Sequence, residues 1–508
     1  MNKTKLYYIL ILALGFIALF GRLNDIHLGH EEPRRALIAQ EILLGDNIWQ
    51  PTIRSQNYYR KPPLYNWLIA ISYKVFGSQS EFATRVPSVL SYLLFIIFIY
   101  HFFKKLLSKK EARIIALMVF ISGDILLYYS RMAEMDLFYA LISFPVMVLP
   151  WWYLKHNKTR YFFIIPPLLA GIGFMSKGLP SSAFIGISSL VAVLLTKKYK
   201  LFYSPVIIVS LILFCLPTVP YFYMQNEAGT LSDSWQTLFG ESANRTTGNL
   251  DVLNYFKHFL LFPLQVLIAF LPGTLLLAGL KKEYFKSDTS KSLFIIFFAN
   301  FIIYWISPGA RVRYIYMILP FVSYFAVMGL KSLKIEESKR MKTIIEVFQL
   351  IVFAALIGGI IYFGQIEVIS IILIIIIVVQ TIVSLKSKTN IWPSLLVLML
   401  SARAVFDFYS VQEQFLVNDR AWIEKQQAIK LHNRFPNKKL YINALADRYY
   451  TFCYEYTKLS KQMIEVDLEF EDKDALYLVR DQVVDHRITR IEDFAIGNDS
   501  TIKLVQCR

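Results

Sequence analysis

Long apolar runs, broken by short polar links, recur from the N-terminus to about residue 407. The clearest are IIEVFQLIVFAALIGGIIYF (344–363) and IEVISIILIIIIVVQTIVSL (366–385). Each supplies about 20 residues, enough to cross a hydrocarbon core of about 30 Å at about 1.5 Å per residue. The pattern predicts about thirteen spans, near 6–20, 87–103, 114–128, 137–153, 161–175, 181–196, 203–221, 257–280, 293–306, 314–329, 344–363, 366–385 and 391–407. The first run has the size of a signal-peptide core, but no A-x-A-like site follows it, so it reads as a retained anchor. The stretch PPLYNWLIAISYKVF (62–76) is too short to cross and reads as an interfacial or re-entrant helix.

Beyond residue 408 the long apolar runs stop and charges become frequent. AWIEKQQAIKLHNRF (421–435) has helical periodicity. KLYINAL (439–445), RYYTFCYEY (448–456), ALYLVRDQVV (475–484) and TIKLVQC (501–507) read as strands. The expected fold class is therefore a polytopic α-helical membrane protein with a small C-terminal α/β domain. The membrane region is 1–407, with outer loops at 21–86 and 222–256, and the α/β domain is 408–508. Of the three cysteines, Cys215 lies inside a span, while Cys453 and Cys507 either form an extracytoplasmic disulfide or are buried thiols.

Composition agrees with this plan: 508 residues, 56% hydrophobic, 18% charged, mean hydropathy +0.45. The basic clusters set the orientation. Lys104 to Lys110, Lys155 to Arg160, Lys197 to Lys200, Lys281 and Lys282, Lys331 to Lys342, and Lys386 with Lys388 all fall on the side of the N-terminus. By the positive-inside rule that side is the cytoplasm, and an odd span count puts the C-terminal domain outside. If 62–76 crossed, the later clusters would change face. The net charge of +17 invites a nucleic-acid partner. Loop lysines that fix topology and meet anionic lipid explain it better, and no zinc-finger or Gly-rich phosphate motif is present.

Four polar constellations fall on the opposite, outer face. The first is 21–61, with Glu31, Glu32, Arg34, Arg35, Tyr58, Tyr59, Arg60 and Lys61. The others are SRMAEMD (130–136), SKG (176–178) and SPGARVRYIY (307–316), with Arg131, Glu134, Asp136, Lys177, Arg311, Arg313 and Tyr314. Taken singly, the cations read as interfacial anchors. The run from residue 31 reads singly as a solvated amphipathic helix, with Pro33 in its first turn and Glu31 and Glu32 in ion-pair spacing with Arg35. Together they equip one face for an anionic lipid headgroup, with cations and aromatics for a phosphate and carboxylates for a proton or developing positive charge.

The run EEPRRALIAQEILLGDNIWQP…YYRKPPLYNWLIAISYKVFG resembles the first outer loop of the lipid A aminoarabinose transferases, GT-C glycosyltransferases distantly related to the protein O-mannosyltransferases. R-x-A-E-M-D (131–136), S-K-G (176–178) and R-Y-x-Y-x-I-L-P (313–320) continue the match in order. The resemblance places the family's acidic pair on Glu31 and Glu32, the first being Asp in the family pattern. It places donor-phosphate contacts on Arg34, Tyr58, Tyr59, Lys61 and Tyr314, the second-loop acid on Asp136, and the lysine of the S-K-G motif on Lys177. Arg60 stands where the family has Glu, Arg35 where it has Tyr, and Leu37 where it has an acid.

The resemblance implies a transferase that moves a sugar, with inversion, from a polyprenyl-phosphate donor to lipid A or another surface glycan or lipid, in a bacterial inner membrane with a periplasmic site. The departing phosphate needs positive charge, with Lys61 the first candidate and Arg131, Lys177, Arg311 and Arg313 as partners. Glu31 would be the base for a hydroxyl acceptor. No cofactor is expected, although Glu31, Glu32, Asp136 and His27 or His30 include the donor types for a divalent ion. The alternatives are a lipid-linked glycan flippase, a protein O-glycosyltransferase, and a non-catalytic membrane protein with a sensing outer domain.

Overall fold

The structure is a computed structural model of the chain. It describes residues 3–247, 252–333, 396–404, 419–443, 449–480, 487–494 and 502–507, with isolated positions between 343 and 379 and at 483 and 496. Helix α1 (Lys3–Phe20) is followed by α2 (Glu32–Leu44), a hairpin of β1 (Thr52–Ile53) and β2 (Gln56–Asn57), and α3 (Leu64–Phe76). Then come α4 (Glu81–Phe103), α5 (Lys109–Phe120), α6 (Gly123–Leu127), α7 (Met135–Lys155), α8 (Thr159–Lys177) and α9 (Pro180–Thr196). Helices α10 (Ile207–Cys215), α11 (Val219–Glu227), α12 (Leu231–Thr247), α13 (Val252–Ala269), α14 (Asp288–Trp305) and α15 (Leu319–Leu333) follow. The C-terminal segment supplies α16 (Arg420–Arg434), β3 (Leu440–Ile442), α17 (Tyr450–Ser460), β4 (Glu465–Val466), β5 (Leu476–Arg480), β6 (Ile488–Asp493) and β7 (Ile502–Cys507).

The first ten expected spans all coincide with helical segments. Among the described residues five helices are long and apolar enough to cross a membrane, or six if α10 and α11 are one span bent by 55°. The protein is thus a multi-pass membrane protein. Several expected spans are broken. That at 114–128 divides into α5 and α6 at Ile121–Ser122, and that at 257–280 ends its α-helix at Ala269 before Pro272 and continues as a 3-10 turn, Gly273–Gly279. Most of the spans expected at 344–363 and 366–385 lies outside the described residues, as do 391–395 and 405–407 of the last, so the count of thirteen is not carried further.

The chain forms two compact units. One comprises residues 1–22, 88–220 and 235–409. Within it α7 packs on α8 and α9, and α10 packs on α8. Gly171 allows the last contact, since a Cβ there would lie 2.2 Å from the Phe214 carbonyl oxygen. The basic loops and the acidic motif lie at opposite ends of these helices. Lys155 ends α7 and Thr159 begins α8, while Met135 begins α7 and Lys177 ends α8. Nineteen residues of α8 separate the two ends by about 28 Å, close to a hydrocarbon core. Lys155 lies over the Trp151 ring, and Lys105 and Lys158 over Trp152, the arrangement expected of interfacial lysines.

The second unit comprises residues 23–87, 221–234 and 410–508, so the C-terminal segment folds together with the first loop. Its five strands run in the order β4-β3-β5-β7-β6, with β3 parallel to β4 and β5 and β7 antiparallel to β5 and β6. The strands expected at 439–445, 475–484 and 501–507 are β3, β5 and β7, and the helix expected at 421–435 is α16. The strand expected at 448–456 is instead helix α17. Its aromatic residues favour a strand locally, but Phe452, Tyr454 and Tyr456 are buried in helical packing against α2 and α16. Gln40 donates to the Tyr454 carbonyl at 3.3 Å, and the Tyr454 hydroxyl donates to the Gln79 carbonyl at 2.7 Å. Cys453 and Cys507 are free thiols, and the disulfide is not formed.

In this unit α2 is not a solvated helix. Ten of its thirteen residues are buried, including Glu32, Arg35, Gln40 and Glu41. Helix α3, at thirteen residues, reaches about 20 Å and does not qualify as a span. It exposes Ile71 and Val75 and buries Ile69 and Tyr73, as an interfacial helix does. The hairpin between α2 and α3 turns through Arg54 and Ser55, both at positive φ, where non-glycine residues are strained. The Glu41 carboxylate offsets that cost. It accepts from the Arg54 amide at 2.6 Å, the Ser55 amide at 3.2 Å and the Thr52 hydroxyl at 2.6 Å. Burial pushes its carboxyl above the usual range, against the lowering by these donors and by the Arg54 charge.

The Glu41 latch generates a prediction. Glu41→Gln removes the charge and turns one acceptor into a donor, a loss of about 1–3 kcal/mol. Hydrogen exchange of the Arg54 and Ser55 amides is expected to speed at least about tenfold; unchanged exchange would show that the turn stands without the latch.

Candidate functional site

The last three polar constellations meet inside the first unit. Glu134 is extended backbone preceding α7, and Asp136 sits in that helix's first turn, where the dipole favours negative charge. Lys177 closes α8, where a cation is favoured. The chain reverses at once through Gly178, at φ +81° and ψ −139°, a region essentially reserved for glycine. A Cβ at Gly178 would also lie 2.8 Å from the Leu238 side chain of α12. Arg313 and Tyr314 come from the 3-10 segment Val312–Ile318 that leads into α15.

These residues form a buried, charge-neutral quartet. Lys177 Nζ donates to Asp136 Oδ1 at 2.6 Å, and Arg313 Nη1 donates to Glu134 Oε1 at 2.6 Å. Arg313 Nε lies 3.5 Å from Asp136 Oδ2, which links the two pairs. Each of the four side chains is less than a tenth exposed. Tyrosine rings fill the space around the cations. Lys177 Nζ is 4.3 Å from the Tyr314 ring centroid and 5.0 Å from that of Tyr139. The Arg313 guanidinium is 5.7 Å from Tyr314 and 5.6 Å from Tyr129. Arg131 is buried and donates to the Gly21 carbonyl, while Arg311 is exposed. Tyr316 donates to Asp124.

The first constellation belongs to the second unit. Glu32 is 1% exposed and holds Arg85 in a bidentate pair, at 2.8 and 2.9 Å. Arg85 also donates to the carbonyls of Leu23, Ile26 and His27. Both Glu32 oxygens are engaged, so its partners give it an anchoring role. The helical pairs expected between Glu31 or Glu32 and Arg35 do not form. Glu31 pairs with Arg34, and Arg35 donates to the Tyr58 hydroxyl at 3.4 Å. The Arg34 guanidinium lies about 6 Å from the Tyr58 and Tyr450 rings. Lys61 is buried, and the Tyr59 hydroxyl is buried with no hydrogen-bond partner in the structure. His27 pairs with Asp419 at 2.8 Å. Among the described residues no three His, Cys, Asp or Glu side chains group as metal ligands do.

The structure brings together Asp136, Lys177, Arg313 and Tyr314, all named from the sequence, with Glu134 of the same motif; Tyr129, Tyr139 and Arg85, which also take part in these contacts, were not singled out there. Arg85 is 53 residues from Glu32, and no local spacing signals that pair. Chemically, the quartet has two cations held ready by carboxylates in a dry, aromatic environment. An anion that competes for Lys177 and Arg313 meets charge at low dielectric, where it acts strongly.

Residues 60–223 match the family model described as dolichyl-phosphate-mannose-protein mannosyltransferase. The chain is 26% identical over 342 residues to an undecaprenyl phosphate-alpha-4-amino-4-deoxy-L-arabinose arabinosyl transferase 2 of Proteus mirabilis, covering 65% of this chain and 60% of the relative. It is 23% identical over 301 residues to the corresponding transferase of Pseudomonas aeruginosa, covering 58% of this chain and 54% of the relative. The matched region is thus less than two thirds of either relative's length. The crystal structure of ArnT from Cupriavidus metallidurans bound to undecaprenyl phosphate superposes with a TM-score of 0.73 at 17% identity, covering 98% of this chain and 97% of that one. Its apo state gives 0.69 at 16% identity, covering 99% and 98%. The chain therefore has the ArnT fold, and the resemblance carried by its motifs stands.

The buried quartet makes its own prediction. Asp136→Asn leaves Lys177 buried without its charge partner, a loss of about 3–5 kcal/mol, read as a lower unfolding midpoint in detergent. Asp136→Leu combined with Lys177→Met removes both charges and is expected to recover most of that loss. A double variant as unstable as the sum of the single ones would contradict the pairing.

Proposed function

We propose that this chain, similar to the aminoarabinose transferases, is a membrane glycosyltransferase. It moves a sugar from a polyprenyl-phosphate donor of the undecaprenyl-phosphate type to lipid A or another surface glycan or lipid. The observation that carries this reading is the Glu134–Arg313–Asp136–Lys177 quartet with its tyrosine rings, at the helix ends opposite the basic loops. Undecaprenyl phosphate, present in the solved ArnT structure, is a lipid anion of the kind these cations suit. The basic loops support a cytoplasmic assignment for their own end, and in this reading the quartet faces the periplasm of a bacterial inner membrane.

The reaction follows from the charges. The bond from the sugar's anomeric carbon to the phosphate oxygen breaks, and its electron pair stays on the phosphate, whose charge grows from one to two. Lys177 and Arg313, helped by Arg131, Arg311 and the Tyr314 hydroxyl, stabilise that growing charge. Asp136 and Glu134 hold both cations in place before the donor arrives. A new bond forms from the acceptor oxygen to the anomeric carbon, and a single displacement inverts that centre. A hydroxyl acceptor gives up its proton to a carboxylate, the role assigned to Glu31; a phosphate acceptor needs no base. Arg34, Tyr58, Tyr59 and Lys61 keep their proposed part as donor contacts. Glu32, bound to Arg85, acts as a positioning residue. No step requires a metal or cofactor.

The test is sugar transfer in proteoliposomes supplied with labelled polyprenyl-phosphate sugars and host lipid extract. The wild type is expected to form a labelled product, and Glu31→Gln, Lys61→Ala and Lys177→Gln to lose at least about 100-fold in rate. A protein hydroxyl as the labelled product would replace the lipid acceptor. Donor that crosses the bilayer without transfer would overturn the reading in favour of a flippase.

A further inference from the structure

A cavity of about 430 Å³ lies between α8, α9 and α10, apart from the charged quartet and wholly within the first unit. Ser182, Gly186, Ser189 and Val193 line it from one face of α9, at spacings of four, three and four residues. Phe163 of α8 and Phe214 of α10 form facing walls, and Leu201 closes the end next to the basic loop. Eleven residues of α9 correspond to about 16 Å, roughly half of a 30 Å hydrocarbon core. The slot is therefore about as long as one leaflet is thick.

Charge next to the lining residues in the chain identifies the occupant. Arg160 is two residues before Phe162 of the lining, Lys197 is four after Val193, and Lys200 immediately precedes Leu201. All three are exposed, and none has an ion-pair partner among the described residues. No Asp or Glu occurs anywhere between Asp136 and Glu227. Lys198, between them, is turned away, donating to the Leu154 carbonyl and to Asn157. An apolar slot about as long as one leaflet is thick, with three cations next to its lining residues in the chain and without counter-charge, matches a lipid with a negative headgroup.

The geometry points to a binding site for an anionic glycerophospholipid, with one acyl chain in the α8–α9–α10 slot and its phosphate at Arg160, Lys197 and Lys200. The phosphate end of the site lies at the helix ends opposite the quartet, and the site does not rest on the transferase reading. A carrier lipid drawn from the donor side would present its phosphate at the other end.

The test uses the full chain in liposomes with phosphatidylglycerol bearing a photoreactive group on one acyl chain, against phosphatidylcholine bearing the same chain. Phosphatidylglycerol is expected to label peptides covering 182–193 and 207–214 at least fivefold more than phosphatidylcholine. Gly186→Phe should remove that excess by filling the slot, since a Cβ at 186 meets nothing within 4 Å. Arg160→Gln with Lys197→Gln and Lys200→Gln should remove it by discharging the phosphate end, and these exposed positions keep the test intact if the filled variant fails to fold. Equal labelling by the two lipids, absence of label from the slot, or an excess that survives the triple variant would overturn the site. None of these outcomes depends on sugar transfer.

Discussion

Four charges sealed among helix ends set the terms for the first unit. Removing a lysine, an arginine and two carboxylates from water is expensive, and their mutual attraction offsets the loss only when the geometry is good. Here two contacts at 2.6 Å and a third at 3.5 Å tie α7, α8 and the segment before α15 at one level. Asp136 at a helix N-terminus and Lys177 at a helix C-terminus gain from their dipoles as well. Ordinary packing does not require such a cluster, because apolar side chains would fill the space as stably. Its presence is the observation on which the proposed site rests.

The second unit shows why acidic residues in a motif do different jobs. Glu31, Glu32 and Glu41 lie within eleven residues of one another. Glu32 is locked to Arg85, and Glu41 latches a strained two-residue turn. Glu31, at the helix N-terminus, is the most exposed of the three and pairs only with its neighbour Arg34 among the contacts seen. That division of labour, rather than the sequence order, is what supports the proposal of Glu31 as the reacting acid.

Much of this was legible in the chain itself. The apolar runs predicted ten helical segments correctly, because a bilayer demands long apolar helices and leaves little choice. The R-x-A-E-M-D, S-K-G and R-Y-x-Y motifs predicted residues that prove to be neighbours. What local pattern could not reveal were partners chosen by tertiary packing. Arg85 reads as one more charge at the start of a span until Glu32 is found beside it. The aromatic run at 448–456 has strand composition, yet burial against α2 and α16 makes it a helix. What the tail folds with was hidden for a related reason: it packs with the first loop, and a change in composition cannot report a contact made some 400 residues away.

The central claim is that the quartet receives a lipid phosphate, and binding measures this more directly than turnover. The affinity of the full chain for undecaprenyl phosphate should be compared with that for undecaprenol, in the wild type and in Lys177→Met and Arg313→Gln. The account predicts binding that requires the phosphate and weakens at least tenfold in each folded variant. Undecaprenol bound as tightly as its phosphate, or a phosphate affinity that both variants retain, would contradict it.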